Sequence, residues 1–165
     1  MILRPAGLAD CEILAFLHAS CFPEEPWDAV ALSQLLGSPG MFALLACTCP
    51  DCGSDAGMAS EPAGFVLARA IAGEAEIVTI GVAPGRQGAG IGAALLQGAL
   101  ATARAVGAEA VFLEVAENNN QAYRLYTGQG FQKIGRRPNY YRQKDGAVAA
   151  LVMKLELFQA SIVHS

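Results

Sequence analysis

The sequence has no apolar run near the ~20 residues that cross a bilayer. Its opening stretch, MILRPAGLADCE, carries Asp10 and Glu12 where a signal peptide would stay apolar. These absences predict a soluble, cytoplasmic protein without membrane attachment. Positive charge is scarce: 11 Lys and Arg stand against 15 Asp and Glu, a net charge of -4. General nucleic-acid binding needs clustered Lys and Arg, so that class is excluded, while a basic partner remains compatible. Charged residues make up only 16% of the chain and apolar ones 53%, which excludes a disordered chain. The five cysteines are odd in number and fit reduced thiols better than a disulfide framework. No cysteine has a partner at nucleophile spacing, and His18 and His164 lie outside every motif, which argues against covalent catalysis. There is no internal repeat and no linker. The 165 residues predict a single domain, 1–157, with a C-terminal tail, 158–165.

What is present is a series of periodic segments. Met1 to Arg4 predicts a strand, and Leu8 to Ser20 a helix with Leu14 and Leu17 on one face. Pro23 and Pro26 bracket Glu24 and Glu25 and end that segment. Asp28 is the N-cap of a second helix that Gly37 closes. Met41 to Cys47 predicts a strand and Thr48 to Ala63 a loop. Phe65 to Ile71 and Glu76 to Val82 predict an antiparallel hairpin broken at Ala72-Gly73-Glu74. Gly90 to Val106 is the strongest helix, with Leu95, Ala99 and Ala103 in one stripe and Gly107 as its stop. Ala110 to Val115 predicts a strand and Asn120 to Gln129 a short helix. Phe131 to Arg136 and Val148 to Leu157 predict two last strands, joined by a loop from Pro138 to Gly146. This order predicts an α/β layered domain, with a mixed, mostly antiparallel central sheet flanked by helices.

Two loops carry chemistry-bearing residues. Cys47, Cys49 and Cys52 resemble half of a zinc knuckle, but structural zinc takes four ligands. A variable loop insertion is the preferred reading, and no metal is expected. The segment from Val82 to Gly92 ends a strand, turns through Gly88, Gly90 and Gly92, and opens a helix. Glycines let backbone N–H groups approach a ligand, and the first turn of a helix offers unpaired N–H groups at a positive dipole end. Together these make a pyrophosphate cradle. The glycines also fit a loose dinucleotide pattern, but that turn follows the first strand of repeated βαβ units, and here it follows a meander.

Glu114 interrupts the apolar strand Phe112 to Val115. A partly desolvated carboxylate there has its pKa raised toward neutrality, which suits a general base. A solvated face or a pairing with an arginine explains the same pattern equally well. Tyr126 supplies a phenol that can donate a proton to a departing thiolate. It can equally pack with Leu125 against the sheet, and Tyr123 lies on a neighbouring position.

The residues Gln87-Gly-Ala-Gly90-Ile-Gly92 resemble the Q/R-x-x-G-x-G/A motif of the GNAT acetyltransferases. Leu113 to Phe131 resembles the second half of the same pattern, L-E-V-x-x-x-N-x-x-A-x-x-L-Y-x-x-x-G-F, in the form of the RimI-type ribosomal-protein-alanine N-acetyltransferases. That resemblance implies a GNAT fold splayed at the acetyl-CoA site. It implies that Gln87, Gly88, Ala89, Gly90, Ile91 and Gly92 bind the CoA pyrophosphate. Ile80, Gly81 and Val82 would pair with pantetheine and polarise the thioester carbonyl, and Asn119 would contact the same arm. Glu114 becomes the base and Tyr126 the acid of a direct transfer from acetyl-CoA to an amine.

Phe22 to Trp27 resembles the subgroup's F-P-x-x-P-W segment, and Arg137 to Tyr141 its R-x-x-Y-Y segment. In related N-terminal acetyltransferases these loops flank the peptide groove. Glu24 or Glu25 would meet a basic residue near the substrate N-terminus, and Tyr140 or Tyr141 would hold its backbone. Trp27 is otherwise a core anchor and the tyrosines a packing pair. The implied partners are acetyl-CoA and a protein N-terminus, that of a small-subunit ribosomal protein. A small-amine acetyltransferase and a non-catalytic acetyl-CoA-binding module are the competing readings.

Overall fold

A computed structural model describes residues 1–48 and 60–157. Cys49, Cys52, His164 and the tail 158–165 lie outside the described residues. The elements in chain order are β1 (Ile2–Ala6), a 3-10 turn (Leu8–Asp10), α1 (Cys11–Cys21), α2 (Ala29–Leu36), β2 (Met41–Thr48) and β3 (Glu61–Ile71). They continue with β4 (Glu74–Val82), α3 (Ile91–Ala105), β5 (Ala110–Ala116), α4 (Asn120–Gly128), β6 (Gln132–Gln143) and β7 (Gly146–Glu156). The strands form a seven-stranded sheet in the order β1-β2-β3-β4-β5-β7-β6. β1 with β2, β2 with β3, β5 with β7 and β6 with β7 pair antiparallel. β4 and β5 pair in parallel, Glu74 to Glu76 against Ala110 to Phe112. This is the mixed, mostly antiparallel sheet that the sequence predicts.

The chain divides into two units. The first contains Met1–Arg69 and Val78–Ala99. Leu14 and Leu17 of α1 and Leu32 of α2 pack with Ala43, Leu45, Phe65 and Leu67 of β2 and β3. The other face of β2 is buried too, at Leu44 and Ala46. A strand covered on both faces reads as an unbroken apolar run, as MFALLACT does. α3 comes close to that face. A Cβ added to Gly98 would stand 2.9 Å from Leu44, so only glycine lets the helix approach this far. Asp28 caps α2 as expected, accepting the Ala31 N–H at 2.8 Å.

The second unit contains Ala70–Ile77 and Leu100–Ser165. Val111, Leu113 and Val115 alternate on the buried face of β5, and Leu151 and Met153 of β7 lie opposite Val115 and Leu113. The β3–β4 turn is only Ala72-Gly73, both with positive φ (53° and 83°), as tight hairpin turns of the I′ kind require.

Two predicted loops are shorter than the sequence indicates. Thr48 belongs to β2, and β3 already includes Glu61, Pro62 and Ala63. The ladder takes in Pro62 through a register shift between Ala46 and Cys47, where a missing N–H is tolerated. Likewise, most of the predicted loop from Pro138 to Gly146 belongs to strands. β6 runs on to Gln143 and β7 begins at Gly146, with Pro138 inside a second register shift. Phe131 precedes β6; it is buried and its N–H donates to Tyr126 O at 3.1 Å.

Candidate active site

In the first unit, the strand–turn–helix passage begins at the end of β4. Gly81 has no room for a side chain: an added Cβ would stand 2.8 Å from both Cys21 Sγ and Phe65 Cε1. The Cys21 thiol donates to Val82 O at 3.4 Å, and Ala83 N–H to Ala63 O at 2.8 Å. The backbone from Ile80 to Val82 is thus braced by α1 and β3. Beyond it Gly85, Gly88 and Gly90 have φ of +86°, +83° and +81°, with open space where a Cβ would stand. Glycine is needed here for backbone conformation. Gln87 Nε2 donates back to Val82 O at 3.5 Å. Gly88, Ala89 and Gly90 are exposed, and the 15-residue α3 starts at Ile91, which is buried. An open glycine turn at the start of a long helix fits a pyrophosphate.

The loop from Phe22 to Trp27 is organised by His18, which sequence reasoning leaves outside every motif. His18 is 3% exposed. Its Nδ1 accepts the Trp27 N–H at 3.0 Å, and its ring stacks on the indole at 4.5 Å. Phe22 and Phe65 close around the same imidazole at 4.8 and 5.8 Å. Burial lowers the His18 pKa, because a charged ring would be desolvated there. Trp27 itself is half-buried against the first unit's core, whereas Glu24 and Glu25 are exposed.

In the second unit, Glu114 lies opposite Val152 of β7. On the other side of β7, Arg137 faces Ala150 and Tyr141 faces Val148. Residues 148, 150 and 152 alternate onto one face, so Glu114, Arg137 and Tyr141 share it. Arg137 Nε stands 3.0 Å from Glu114 Oε1, with Glu114 22% exposed. Of the two readings left open for Glu114, the pairing with an arginine is the one the structure shows: a guanidinium meets the carboxylate. The Arg137 guanidinium also stands 5.7 Å from the Tyr140 ring centroid, and Tyr140 meets Tyr141 edge-on at 5.1 Å. Burial first, then the Glu114 charge and Tyr140, push the Tyr141 phenol up to about 12.

Tyr126 is 5% exposed and packs edge-on to Phe131 at 5.9 Å. Burial, followed by Tyr141, pushes its phenol up to about 12. It packs against Phe131 and stays protonated at neutral pH. Tyr123 is half-buried. Asn119 caps α4 through Oδ1, which accepts the Ala122 N–H at 3.2 Å. In the sequence Arg137 has no role beyond opening the R-x-x-Y-Y segment; the signals that could mark it are the acidic strand residue Glu114 and the adjacent arginines 136 and 137.

The acetyltransferase (GNAT) family model matches residues 15–131. The chain belongs to the GNAT acetyltransferase family. Over 135 residues this GNAT enzyme is 37% identical to N-alpha-acetyltransferase RimI of Mycobacterium tuberculosis, covering 81% of this chain and 80% of that one. Its fold is similar to the crystal structure of the ribosomal-protein-S18-alanine N-acetyltransferase from Escherichia coli, with a TM-score of 0.78, 24% identity and 99% of each chain covered. It is similar as well to Arabidopsis thaliana NAA60 in complex with acetyl-CoA, with a TM-score of 0.78, 21% identity, and 94% and 98% of the two chains covered. The enzyme is an acetyl-CoA-dependent N-acetyltransferase. Among the described residues no group of three His, Cys, Asp or Glu could hold a metal ion. No helix among them is long and apolar enough to cross a membrane.

Proposed function

We propose that this GNAT enzyme acetylates the α-amine of a protein N-terminus, with the N-terminal alanine of a small-subunit ribosomal protein as its acceptor. The observation that carries the reading is 37% identity, over four-fifths of the chain, to an enzyme named N-alpha-acetyltransferase. The similar Escherichia coli structure is named for the alanine of ribosomal protein S18. A ribosomal acceptor places the reaction in the cytoplasm.

In the proposed mechanism the turn from Gln87 to Gly92 carries the CoA pyrophosphate, and the backbone from Ile80 to Val82, with Asn119, guides the pantetheine arm. Glu114 takes a proton from the acceptor's ammonium, because a protonated amine has no lone pair with which to attack. The amine nitrogen bonds to the thioester carbon, and a backbone N–H near Ile80 to Val82 stabilises the oxyanion. The C–S bond then breaks, the sulfur leaves with its electron pair, and the nitrogen gives up its second proton to solvent or to the departing thiolate, which leaves a neutral amide. Tyr126 is the acid at that sulfur. With its phenol near 12 and a free thiol near about 8.5, complete transfer is uphill. Tyr126 therefore acts mainly by donating a hydrogen bond as charge develops on sulfur. Glu24, Glu25, Trp27, Tyr140 and Tyr141 are the proposed acceptor-binding residues, with Trp27 acting through the shape of its loop.

Acetyl-CoA offered with short peptides, including one that starts Ala-Arg-Tyr, beside spermidine and free amino acids, tests the reading by mass spectrometry. A mass gain on the α-amine of the alanine-led peptide is the expected result. Acetylation confined to the small amines would overturn the protein acceptor.

A further inference from the structure

The Arg137–Glu114 contact occupies the place an acceptor needs. An ammonium that is to lose its proton to Glu114 must come within hydrogen-bond distance of the carboxylate, where Arg137 Nε stands at 3.0 Å. Arg137 is held there lightly. The contact runs through Nε, the Arg137 side chain is 59% exposed, and exposed ion pairs of this kind contribute little. An arriving ammonium can take its place. The guanidinium has four further N–H donors beyond Nε. The Tyr140 ring, 5.7 Å from its central carbon, keeps it near Glu114 after the exchange.

The bulged course of β6 reinforces this tether. Arg137 and Tyr141 face Ala150 and Val148, so four residues of β6 span two of β7. Both side chains then project from one face about 7 Å apart along the strand. Asn139, inside the bulge, has φ +56°, a conformation that Asn tolerates better than most residues.

In a peptide the carbonyl oxygen of the first residue lies about 3 Å from its α-nitrogen. A donor seated beside the carboxylate that receives the amine is therefore within reach of that carbonyl. Resting on the protein-acceptor reading above, we infer that Arg137 is a specificity-determining residue: displaced from Glu114 by the acceptor's α-ammonium, its guanidinium donates to the first peptide carbonyl and selects peptide acceptors over simple amines. Arginine suits the exchange because its planar fork serves a carboxylate before binding and a carbonyl after it.

A chemical double-mutant cycle tests this. Two acceptors are compared: an alanine-led peptide, and the same peptide with an alkene isostere in place of its first amide. Each is assayed with the wild-type enzyme, R137Q and R137K. In the wild type, loss of the carbonyl should lower kcat/KM at least tenfold. In R137Q the two acceptors should differ by less than twofold, and R137K should fall between, since lysine keeps the charge without the fork. Acetyl-CoA affinity and a thermal melt establish that each variant is folded, and R137K carries the test if R137Q is not. A tenfold carbonyl effect that persists undiminished in the variants overturns the role of Arg137. A wild-type enzyme that leaves the parent peptide unacetylated overturns the protein-acceptor reading itself.

Discussion

His18 Nδ1 accepts the backbone N–H of Trp27 at 3.0 Å, inside a ring of Phe22, Trp27 and Phe65. The contact ties the end of α1 to the loop that precedes α2. Phenylalanine at position 18 fills the space without an acceptor, so H18F should cost about 1–3 kcal/mol for the orphaned N–H. It should also change the pH response. Burial lowers the folded-state pKa below the ordinary 6.5, so the folded protein favours the neutral ring. The contribution to stability is complete above the unfolded value of about 6.5 and is lost as pH falls through the folded value. Thermal melts between pH 7.5 and pH 5 should show a shallower acid slope in H18F. Equal slopes in the two proteins would mean that His18 does not titrate as its burial requires.

E114Q keeps the size of the side chain and removes the base. Its kcat should fall about 100-fold, with KM for acetyl-CoA within about twofold of the wild type, because the co-substrate is assigned to the glycine turn. Steady-state kinetics at saturating acceptor decide it. Full activity in E114Q would move the base elsewhere.

Y126F should lower kcat about tenfold or more by removing the donor at sulfur. A phenol near 12 remains protonated through the usable pH range. The wild-type rate should therefore show no alkaline fall from Tyr126 below about pH 11. An unaltered kcat in Y126F would leave Tyr126 as a packing residue against Phe131.

G90V places a β-branched side chain at φ +81°. That backbone conformation costs an L-residue about 1–2 kcal/mol, and the added methyls would stand over the turn. KM for acetyl-CoA should rise at least about tenfold while KM for the acceptor stays nearly constant. If acetyl-CoA binding were unchanged, the turn would not be the pyrophosphate site.

Ala72 sits at φ 53° in the two-residue β3–β4 turn. Asparagine accepts that conformation more readily, and Asn-Gly is the favoured pair for such turns. A72N should stabilise the protein by about 0.5–1 kcal/mol, relieving part of the left-handed penalty. The midpoint of thermal unfolding should rise by about 1–4 °C. A lower midpoint would show that the turn gains nothing from the change.

The helices and the glycine turn were legible in the sequence because their signals are local. Leu95, Ala99 and Ala103 repeat every four residues, and all three are buried. Asp28 before Ala29 read as a cap, and it is one. Strand ends were less legible. Pro62 and Pro138 fall in the predicted loops, yet each lies within a strand, because pairing with a neighbour remote in sequence outweighs local preference where a bulge absorbs the missing donor. His18 had no motif to mark it. Its role comes from three aromatic rings that only folding brings around it.

The sequence by itself determined the family, the order of the elements, the glycine turn and the strand that carries Glu114; of the turn glycines it marks, Gly88 and Gly90 are left-handed, whereas Gly92 lies in α3 and the third left-handed glycine is Gly85. It did not determine which of two adjacent arginines meets that glutamate. Lys133 faces Met153, and an unbroken ladder from there would set Arg136 opposite Ala150, on the Glu114 face. Instead Ile134 is an extra residue, Gly135 faces Val152, and Arg137 takes the place opposite Ala150. Arg136 turns to the other face, where it pairs with Glu117 at 3.0 Å. Side chains alternate with a period of two, so one added residue exchanges the faces of all that follow. Register is a property of two paired strands, and only the tertiary structure could set it.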